Sequence, residues 1–191
     1  KNKKIWITGG SSGIGEALTQ ILCPIAQVAI SSRHQERLQQ VAQSKAATFA
    51  LDLTDTQAIK KIVPQIVEAL GGLDIIILNA GHCYYVDADA INLKETASLI
   101  QLNYLSIVAC IKYCLPYLKK SKQPQIIGVS STVIMLPLTR SEAYGASKAA
   151  MNYYLDSLRT DVKHHGIKIS IVYPGFVKTP LTDQNDFPMP F

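Results

Sequence analysis

Short apolar runs alternate with longer amphipathic stretches along this chain. The short runs are rich in Ile and Val and mostly lack a polar residue at every second position, which is typical of strands buried on both faces. Six such runs predict strands: Ile5–Thr8, Gln27–Ser31, Thr48–Leu51, Asp74–Leu78, Gln125–Val129 and Lys168–Val172. The stretches between them predict five helices: Gly13–Leu22, Gln35–Gln43, Thr56–Leu70, Leu99–Leu118 and Tyr144–His165.

Two of these helices have capping residues at their ends. Asp55 precedes the third helix as an N-cap, and Gly166 follows the last helix as a C-cap. Strands and helices in regular alternation predict an α/β fold, a single domain built on a doubly wound parallel sheet with helices on both faces. In such a sheet, ligands bind beyond the carboxyl ends of the strands.

The composition supports one globular domain. The 191 residues are 48% hydrophobic and 17% charged, which is enough apolar material for a core of its own. The net charge of +5 is spread along the chain, apart from short lysine clusters within residues 1–4 and 119–122. Because no stripe of basic and aromatic residues is present, we expect no nucleic-acid partner.

The cysteines Cys23, Cys83, Cys110 and Cys114 form no C-x-x-C pair and have no His or carboxylate at metal-ligand spacing. We interpret them as small core residues in a reducing compartment and expect no metal. The segment Lys1–Thr8 is too short to hold the apolar region of a signal peptide, so we expect a cytoplasmic protein.

The stretch Ser98–Leu118 is apolar enough to raise the question of a membrane span. It contains Gln101, Asn103 and Lys112, whose polar groups are unfavourable in hydrocarbon. A buried helix or a helix at a subunit interface explains the same pattern without that penalty. We therefore expect no membrane insertion.

A glycine-rich loop joins the first strand to the first helix. Its glycines at 9, 13 and 15 form a G-x-x-x-G-x-G pattern, and no Gly-Lys-Ser/Thr of a P-loop follows. Glycine permits a tight turn and a close approach to a pyrophosphate, and the helix N-terminus offers free N–H groups to phosphate. Ordinary turn chemistry is the alternative interpretation of this loop.

The end of the second strand carries Ser32 and Arg33 where an NAD-binding site would have an acidic residue for the ribose 2′-hydroxyl. A hydroxyl and a guanidinium favour a 2′-phosphate, as in NADP(H). Arg33 could instead be a surface charge at a helix start. Asp52, after the third strand, could cap a loop or accept a hydrogen bond from the adenine amino group.

Further motifs follow in order: Asn79–Gly81 after the fourth strand, Asn103, Ser131 after the fifth strand, and Tyr144–Lys148 opening the last helix. Together with the glycine loop and Pro174–Gly175, they resemble the short-chain dehydrogenase/reductase family along the whole chain. The resemblance implies a Rossmann-type fold and an oxidoreductase that transfers hydride between NADP(H) and a carbonyl or alcohol. It also implies one dinucleotide-binding and catalytic domain over residues 1–191, with a substrate lid and a last strand beyond them.

The resemblance assigns roles to residues of this chain. Ser131, Tyr144, Lys148 and Asn103 are the expected catalytic residues, with Asn103 supporting a water relay to the lysine. The expected cofactor-binding residues are Gly9, Ser11, Ser12, Gly13, Ile14, Gly15, Ser32, Arg33, Asp52, Leu53, Asn79, Ala80, Gly81, Tyr144, Lys148, Pro174, Gly175, Val177 and Thr179. Thr179 would bond the nicotinamide carboxamide.

The chemistry of carbonyl reduction explains these residue types. A hydride from the nicotinamide must be matched by a proton for the developing alkoxide. The pKa of a free tyrosine, roughly 10, is too high for easy proton exchange near neutrality. A lysine ammonium beside Tyr144 would lower that pKa, and Ser131 would hydrogen-bond the substrate oxygen.

Three positions depart from the family pattern: Leu78 replaces a common Asn, Ser12 replaces a second basic residue of several NADP-preferring members, and Ile134 replaces a common Gly. The second departure would leave Arg33 to bind the 2′-phosphate nearly alone. The expected walls of the substrate pocket are Val133–Leu138, which is apolar, and His82–Tyr85, and they favour a hydrophobic or medium-sized carbonyl compound.

Two rival functions remain open at this point. One is a catalytically silent NADP(H)-binding regulator or scaffold of the same fold, and the other is a reductase of carrier-bound acyl groups. The family also implies a homodimer or homotetramer formed through the helices Leu99–Leu118 and Tyr144–His165.

Overall fold

The computed structural model describes residues 2–184 and contains a six-stranded parallel sheet. The strands are β1 (Lys3–Thr8), β2 (Ala26–Ser32), β3 (Ala46–Ala50), β4 (Ile75–Leu78), β5 (Gln125–Val129) and β6 (Lys168–Val172). Their order is β3-β2-β1-β4-β5-β6, so the direction of winding reverses between β1 and β4. The predicted doubly wound parallel sheet is confirmed, and the reversal creates a crevice at the carboxyl ends of β1 and β4.

Six α-helices connect the strands. They are α1 (Gly13–Leu22), α2 (Gln35–Ala42), α3 (Thr56–Leu70), α4 (Leu93–Ile100), α5 (Ser106–Leu118) and α6 (Glu142–Asp161). Asp55 caps α3 by accepting hydrogen bonds from the N–H groups of Gln57 and Ala58, as predicted. Gly166 adopts a left-handed conformation (φ 69°) after the 3₁₀ turn Lys163–His165 that follows α6.

The predicted bounds of the helix Leu99–Leu118 were wrong. Helical structure begins at Leu93, where the Asn92 side chain accepts from two backbone N–H groups, and it passes through a π-helical turn at Gln101–Leu105. The part of α4 before Leu99 was not predicted, because Leu93 is exposed and the residues after it are mostly polar. The strand β5 has the predicted bounds, and Ser131 follows its last residue by two positions.

Hydrophobic side chains pack on both faces of the sheet. On β1, Ile5 and Ile7 join the core beneath α1 and α2, whereas Trp6 faces the larger core formed with α3, α5 and α6. Alternate residues of a strand point to opposite faces, so a strand covered on both sides must be apolar throughout. This double burial explains why the apolar runs of the sequence located the strands.

One helical stretch within residues 2–184, Leu93–Leu118, is long and apolar enough to cross a membrane by length and composition alone. Core helices of soluble proteins meet the same criterion. Here α5 contacts α3 and buries Ile107 and Leu118, while α4 and the π-helical turn contact α6. The stretch therefore packs as a core helix within the domain.

Candidate active site

A cleft of about 420 Å³ opens at the point where the strand order reverses. One end is lined by Arg33 and Arg37, and the opposite end by Ser131, Tyr144 and Lys148. Nearly all the predicted cofactor-binding residues line it: Gly9, Ser11, Ser12, Gly13, Ile14, Ser32, Arg33, Asp52, Leu53, Asn79, Ala80, Gly81, Tyr144, Lys148, Pro174, Gly175, Val177 and Thr179. Gly15 and Asn103 do not, and their contacts lie behind the cleft wall.

The glycine loop brings the start of α1 to the floor of the cleft. Gly9 has φ +68°, a conformation that favours glycine, and a Cβ atom on Gly15 would lie 2.1 Å from the Gly9 carbonyl oxygen. Gly15 therefore allows α1 to pack against the loop, rather than contacting a ligand itself. The N-cap residue Ser12 makes no side-chain capping hydrogen bond, so the first N–H groups of α1 are left for an anion.

A hydrogen-bond network joins this loop to the end of β4. The Thr8 hydroxyl accepts from the backbone N–H groups of Asn79 (3.0 Å) and Ala80 (3.1 Å). The Asn79 amide donates to the Thr8 carbonyl (3.0 Å) and the Gly9 carbonyl (3.2 Å). The Asn79 side chain thus holds the two loops together. Because of these bonds, the cleft keeps its shape without help from a ligand.

The far end of the cleft is cationic. Arg33 and Arg37 both line it and both are exposed, and His34 lies between them in the sequence. Arg37 was not among the predicted site residues, although it lies in the first turn of the helix α2 that follows Arg33. Arg33 is therefore not the only guanidinium at this end. A ligand phosphate here would meet two of them.

Asp52 could cap a loop or accept a hydrogen bond from adenine, and the structure shows that it caps the loop. Its Oδ1 accepts from the Thr54 backbone N–H (2.9 Å) and from the Thr54 hydroxyl (2.8 Å), which caps the loop after β3. These hydrogen bonds lower the pKa of Asp52, although partial burial acts in the opposite direction. The side chain also lines the cleft.

At the opposite end, Ser131 and Tyr144 are neighbours in the cleft, and Ser131 lowers the pKa of Tyr144 against the larger effect of burial. The Ser131 hydroxyl oxygen accepts from the Val133 N–H at 3.2 Å, because Ser131 is the N-cap of the 3₁₀ turn Thr132–Ile134. Its proton is then free to be donated towards Tyr144 or towards a carbonyl oxygen in the cleft. Tyr144 lies in the first turn of α6.

Lys148 lies one turn after Tyr144 and is almost fully buried, with 4% of its surface exposed. Its Nζ donates to the Val129 carbonyl at 2.9 Å and lies 6.0 Å from the centre of the Tyr144 ring. Burial lowers the pKa of Lys148 to about 8. A lysine with this pKa can gain and lose a proton near neutrality.

Lys148 was expected to lower the pKa of Tyr144, but the residues of the protein raise this pKa instead. Burial raises the pKa of Tyr144, Ser131 lowers it, and the nearby Cys83 raises it further. The reason is that the same burial that brings the two side chains together disfavours charge on both of them. Tyr144 therefore holds its proton at neutral pH.

Asn103 lies next to Lys148 behind the cleft wall, where both side chains would approach a Cβ atom on Gly81, and its support of a water relay stays a prediction. It is fully buried in the π-helical turn, where its Oδ1 accepts from the His82 N–H (2.9 Å). Its Nδ2 donates to the His82 carbonyl (2.8 Å) and to the Ser147 hydroxyl (3.0 Å). These three bonds use the side chain to tie the loop after β4 to α6, which makes Asn103 a positioning residue. A π-helical turn at such a place is a common feature of functional sites.

The loop after β6 closes the cleft over the glycine loop. The Pro174 carbonyl accepts from the Thr132 N–H at 3.0 Å, which joins this loop to the one that carries Ser131. Thr179 lies against Gly13, where a Cβ atom would be 3.1 Å from its Cγ2. The Thr179 hydroxyl is close to that of Thr182 (3.4 Å).

A smaller side pocket of about 80 Å³ adjoins the reactive end. The residues that line it are Cys83, Tyr85, Ser131, Thr132, Val133, Leu138, Tyr144, Gly175, Phe176, Leu181 and Thr182. Of the predicted wall Val133–Leu138, only its two terminal residues line this pocket, and His82 lines the main cleft instead. The other predicted wall, His82–Tyr85, contributes Cys83 and Tyr85 to this pocket. Cys83 is therefore a wall residue rather than the core residue that the cysteine pattern suggested.

Comparisons with known proteins agree with this architecture. A family model described as short chain dehydrogenase matches residues 3–187. An uncharacterized oxidoreductase of Myxococcus xanthus is 33% identical, over 97% of this chain and 76% of that protein. A fatty acyl-CoA reductase of Acinetobacter baylyi is 35% identical, over 95% of this chain and 64% of that protein.

Among solved structures, a short chain dehydrogenase of Burkholderia cenocepacia in complex with NADP superposes with a TM-score of 0.88. It is 29% identical, over 94% of this chain and 76% of that one. The family match covers nearly the whole chain, and the sheet order, the glycine loop and the cleft fit it. The chain therefore belongs to the short-chain dehydrogenase family.

Proposed function

We propose that this protein is an NADP(H)-dependent oxidoreductase that interconverts a carbonyl compound and its alcohol, with Tyr144 as the acid/base. One observation carries the proposal. Ser131, Tyr144 and Lys148 converge at one end of a cleft whose floor is the uncapped start of α1. Such a cleft can bind a dinucleotide phosphate and present a proton donor in the same continuous space.

The residues of the cleft fit a nicotinamide dinucleotide. Gly9 and Gly13 let the glycine loop pack against neighbouring loops, since a Cβ atom would lie 2.9 Å from Ala80 Cα and 3.1 Å from Thr179 Cγ2, respectively, and α1 offers uncapped N–H groups. The end of β2 carries Ser32 and Arg33 in place of an acidic residue, and Arg33 and Arg37 suit the 2′-phosphate of NADP(H). The Burkholderia relative bound to NADP supports the same choice of cofactor.

When bound, the nicotinamide supplies a hydride for reduction or accepts one in the reverse reaction. The Ser131 hydroxyl donates a hydrogen bond to the carbonyl oxygen, so that negative charge develops against a fixed donor. The Tyr144 hydroxyl holds the proton that this oxygen needs. Lys148, with a pKa of about 8, favours the phenolate left behind and can return the proton. Asn103 keeps the loop at His82 and α6 in register.

Fluorescence titration of the purified protein with NADPH and, separately, with NADH tests the cofactor assignment. We expect NADPH to bind at least about tenfold more tightly, because NADH lacks the phosphate that the two arginines would bind. A panel of aldehydes and ketones, followed by NADPH absorbance, then tests turnover. Equal affinity for the two cofactors would contradict the role of Arg33 and Arg37. NADPH binding without any turnover would favour the silent regulator.

A second candidate is the reduction of an acyl thioester. The 35% identity to a fatty acyl-CoA reductase supports it, since this chain spans about two thirds of that protein. The same proton donor and hydride chemistry would serve a thioester carbonyl. Parallel assays with a free aldehyde and with a medium-chain acyl-CoA separate the two candidates, because only a thioester reductase releases free thiol.

A further inference from the structure

The side pocket next to Ser131 and Tyr144 is formed by three loops that are bonded to one another. The loop after β4 is joined to the loop after β5 by the Val86 N–H, which donates to the Arg140 carbonyl at 2.9 Å. The loop after β5 is joined to the loop after β6 through Thr132 and Pro174, as described above. The pocket is therefore part of the fixed structure of the domain.

The lining of this pocket is uncharged. Val133, Leu138, Phe176 and Leu181 contribute apolar surface. Within residues 2–184, no Asp, Glu, Lys, Arg or His side chain lines it. A substituent that entered the pocket from the carbonyl carbon would therefore meet hydrocarbon and neutral hydroxyl or thiol groups.

The titratable groups of the lining hold their protons at neutral pH. Burial raises the pKa of Cys83 to about 11 and, together with the neighbouring Cys83 and Tyr144, raises the pKa of Tyr85 to about 12. The side chains of Cys83 and Tyr85 interact with each other within the wall, where Tyr85 lowers the pKa of Cys83 against the larger effect of burial. Tyr144 is also neutral, as shown above. None of these groups can act as a counter-ion.

The charged residues of the surrounding loops are directed elsewhere. Arg140 pairs with Asp87 at 3.0 Å, and Lys178 is exposed and does not line the pocket. Lys148 lines the main cleft and donates to the Val129 carbonyl, and it acts on the side pocket only through Cys83, whose pKa it lowers against the larger effect of burial. A carboxylate placed in the side pocket would thus lose part of its hydration without a cationic side chain among the described residues of the lining, which is unfavourable.

We propose that the side pocket selects uncharged aldehydes or ketones with an apolar substituent and excludes carboxylates, an inference that rests on the proposed reductase function. The carbonyl oxygen lies at Ser131 and Tyr144, and the substituent occupies the space between Leu138, Phe176 and Cys83. Discrimination comes from the absence of a counter-ion among the wall residues that lie within 2–184. Size alone would not produce it.

Three aldehydes of one shape test this proposal: 4-methylbenzaldehyde, methyl 4-formylbenzoate and 4-formylbenzoate. The carboxylate group withdraws electrons from the aldehyde more than the methyl group does and less than the ester does. Intrinsic reactivity alone would therefore not make 4-formylbenzoate the slowest of the three substrates. We expect its kcat/KM with NADPH to be at least about tenfold below that of both neutral compounds. Equal kcat/KM for the acid and the neutral compounds would overturn the proposal while leaving the reductase function intact.

A matched pair of variants at Leu138, which is partly exposed, sharpens the test. Leu138→Lys places an ammonium in the wall and should raise kcat/KM for 4-formylbenzoate at least about fivefold while lowering it for 4-methylbenzaldehyde. Leu138→Met keeps an apolar wall and should leave the ratio within about twofold of the wild type. Thermal melts show that both variants are folded. An unchanged ratio in a folded Leu138→Lys protein would contradict the proposal.

Calorimetry in the presence of NADP⁺ separates this proposal from the proposed function. It compares 4-methylbenzyl alcohol with 4-(hydroxymethyl)benzoate as ligands. If no aldehyde is reduced but the neutral alcohol binds at least about tenfold more tightly, the pocket proposal stands and the reductase function fails. If the acid binds as tightly as the alcohol, or if neither binds, the pocket proposal is overturned.

Discussion

The two ends of the cleft satisfy their polar groups in different ways. At the reactive end, Lys148 and Asn103 are buried, and each hydrogen-bonds to the protein itself. At the cationic end, Arg33 and Arg37 are exposed, and the start of α1 has no side-chain cap. The polar groups of the first end are bonded within the fold, whereas those of the second end are open to water or to a ligand.

This difference predicts different consequences of substitution. Changes at the reactive end should alter turnover and the stability of the protein, because those side chains are part of the core. Changes at the cationic end should alter cofactor affinity and leave stability nearly unchanged, because exposed charges contribute little to folding. The glycine loop between the two ends should affect both properties.

The largest effect is expected at Gly15. In Gly15→Val the Cβ atom would lie 2.1 Å from the Gly9 carbonyl, so α1 must move away from the loop. We expect a loss of stability of about 3 kcal/mol and no measurable NADPH binding, by chemical denaturation and fluorescence titration. Gly145→Ala is the control, since its Cβ would lie 3.7 Å from Val133 and alanine is favoured in a helix. A Gly15→Val protein that binds NADPH normally would contradict the packing described for the loop.

The next effect concerns Lys148. Its folded-state pKa of about 8 lies below the ordinary 10.5, so between these pH values the unfolded chain binds a proton that the folded protein does not. The Lys148 contribution to stability should therefore rise with pH from 8 to 10.5, against the opposite contribution of the buried thiols whose pKa is raised, and below pH 8 the penalty for the buried charge is fully present.

Lys148→Met removes this penalty. We expect the variant to be more stable than the wild type by about 2 kcal/mol at pH 7, with the gap closing as the pH approaches 10.5, although its turnover is lost. Urea unfolding across this pH range measures the gap. A wild type as stable as the variant at pH 7, or a gap that widens with pH, would contradict the buried position of the lysine.

A smaller effect is expected at the cationic end. Arg33→Ala and Arg37→Ala should each weaken NADPH binding by roughly tenfold, because each removes a charged hydrogen-bond donor for the 2′-phosphate. NADH affinity is the internal control and should change less than about twofold. Melting temperatures should stay the same, since both side chains are exposed. Equal losses of affinity for NADPH and NADH would contradict binding of the 2′-phosphate by the two arginines.

Much of the fold was predictable because doubly buried strands have a plain signature. The runs at Ile5–Ile7 and Ile75–Leu78 are apolar on both faces, and Asp55 marks the start of α3. The motif residues were predictable as a set, since the carboxyl ends of parallel strands meet at one edge of the sheet. The first turns of α4 were not predicted because Leu93 is exposed, so no row of buried apolar residues marks the start of this helix.

The parts that were missed depend on packing between distant segments. The raised pKa of Tyr144 and the lowered pKa of Lys148 come from burial, which spacing along the chain does not reveal. The role of Asn103 depends on its bonds to His82 and Ser147, which lie on separate elements.

The most direct test of the central claim is Tyr144→Phe, with NADPH binding and single-turnover NADPH oxidation measured on the same sample. The substrate is the fastest carbonyl compound found in the panel. We predict that NADPH affinity stays within about twofold of the wild type while the rate of oxidation falls by about 10²- to 10⁴-fold, because the proton donor is gone and the cofactor site is intact. An oxidation rate within tenfold of the wild type, with NADPH bound normally, would contradict Tyr144 as the acid/base.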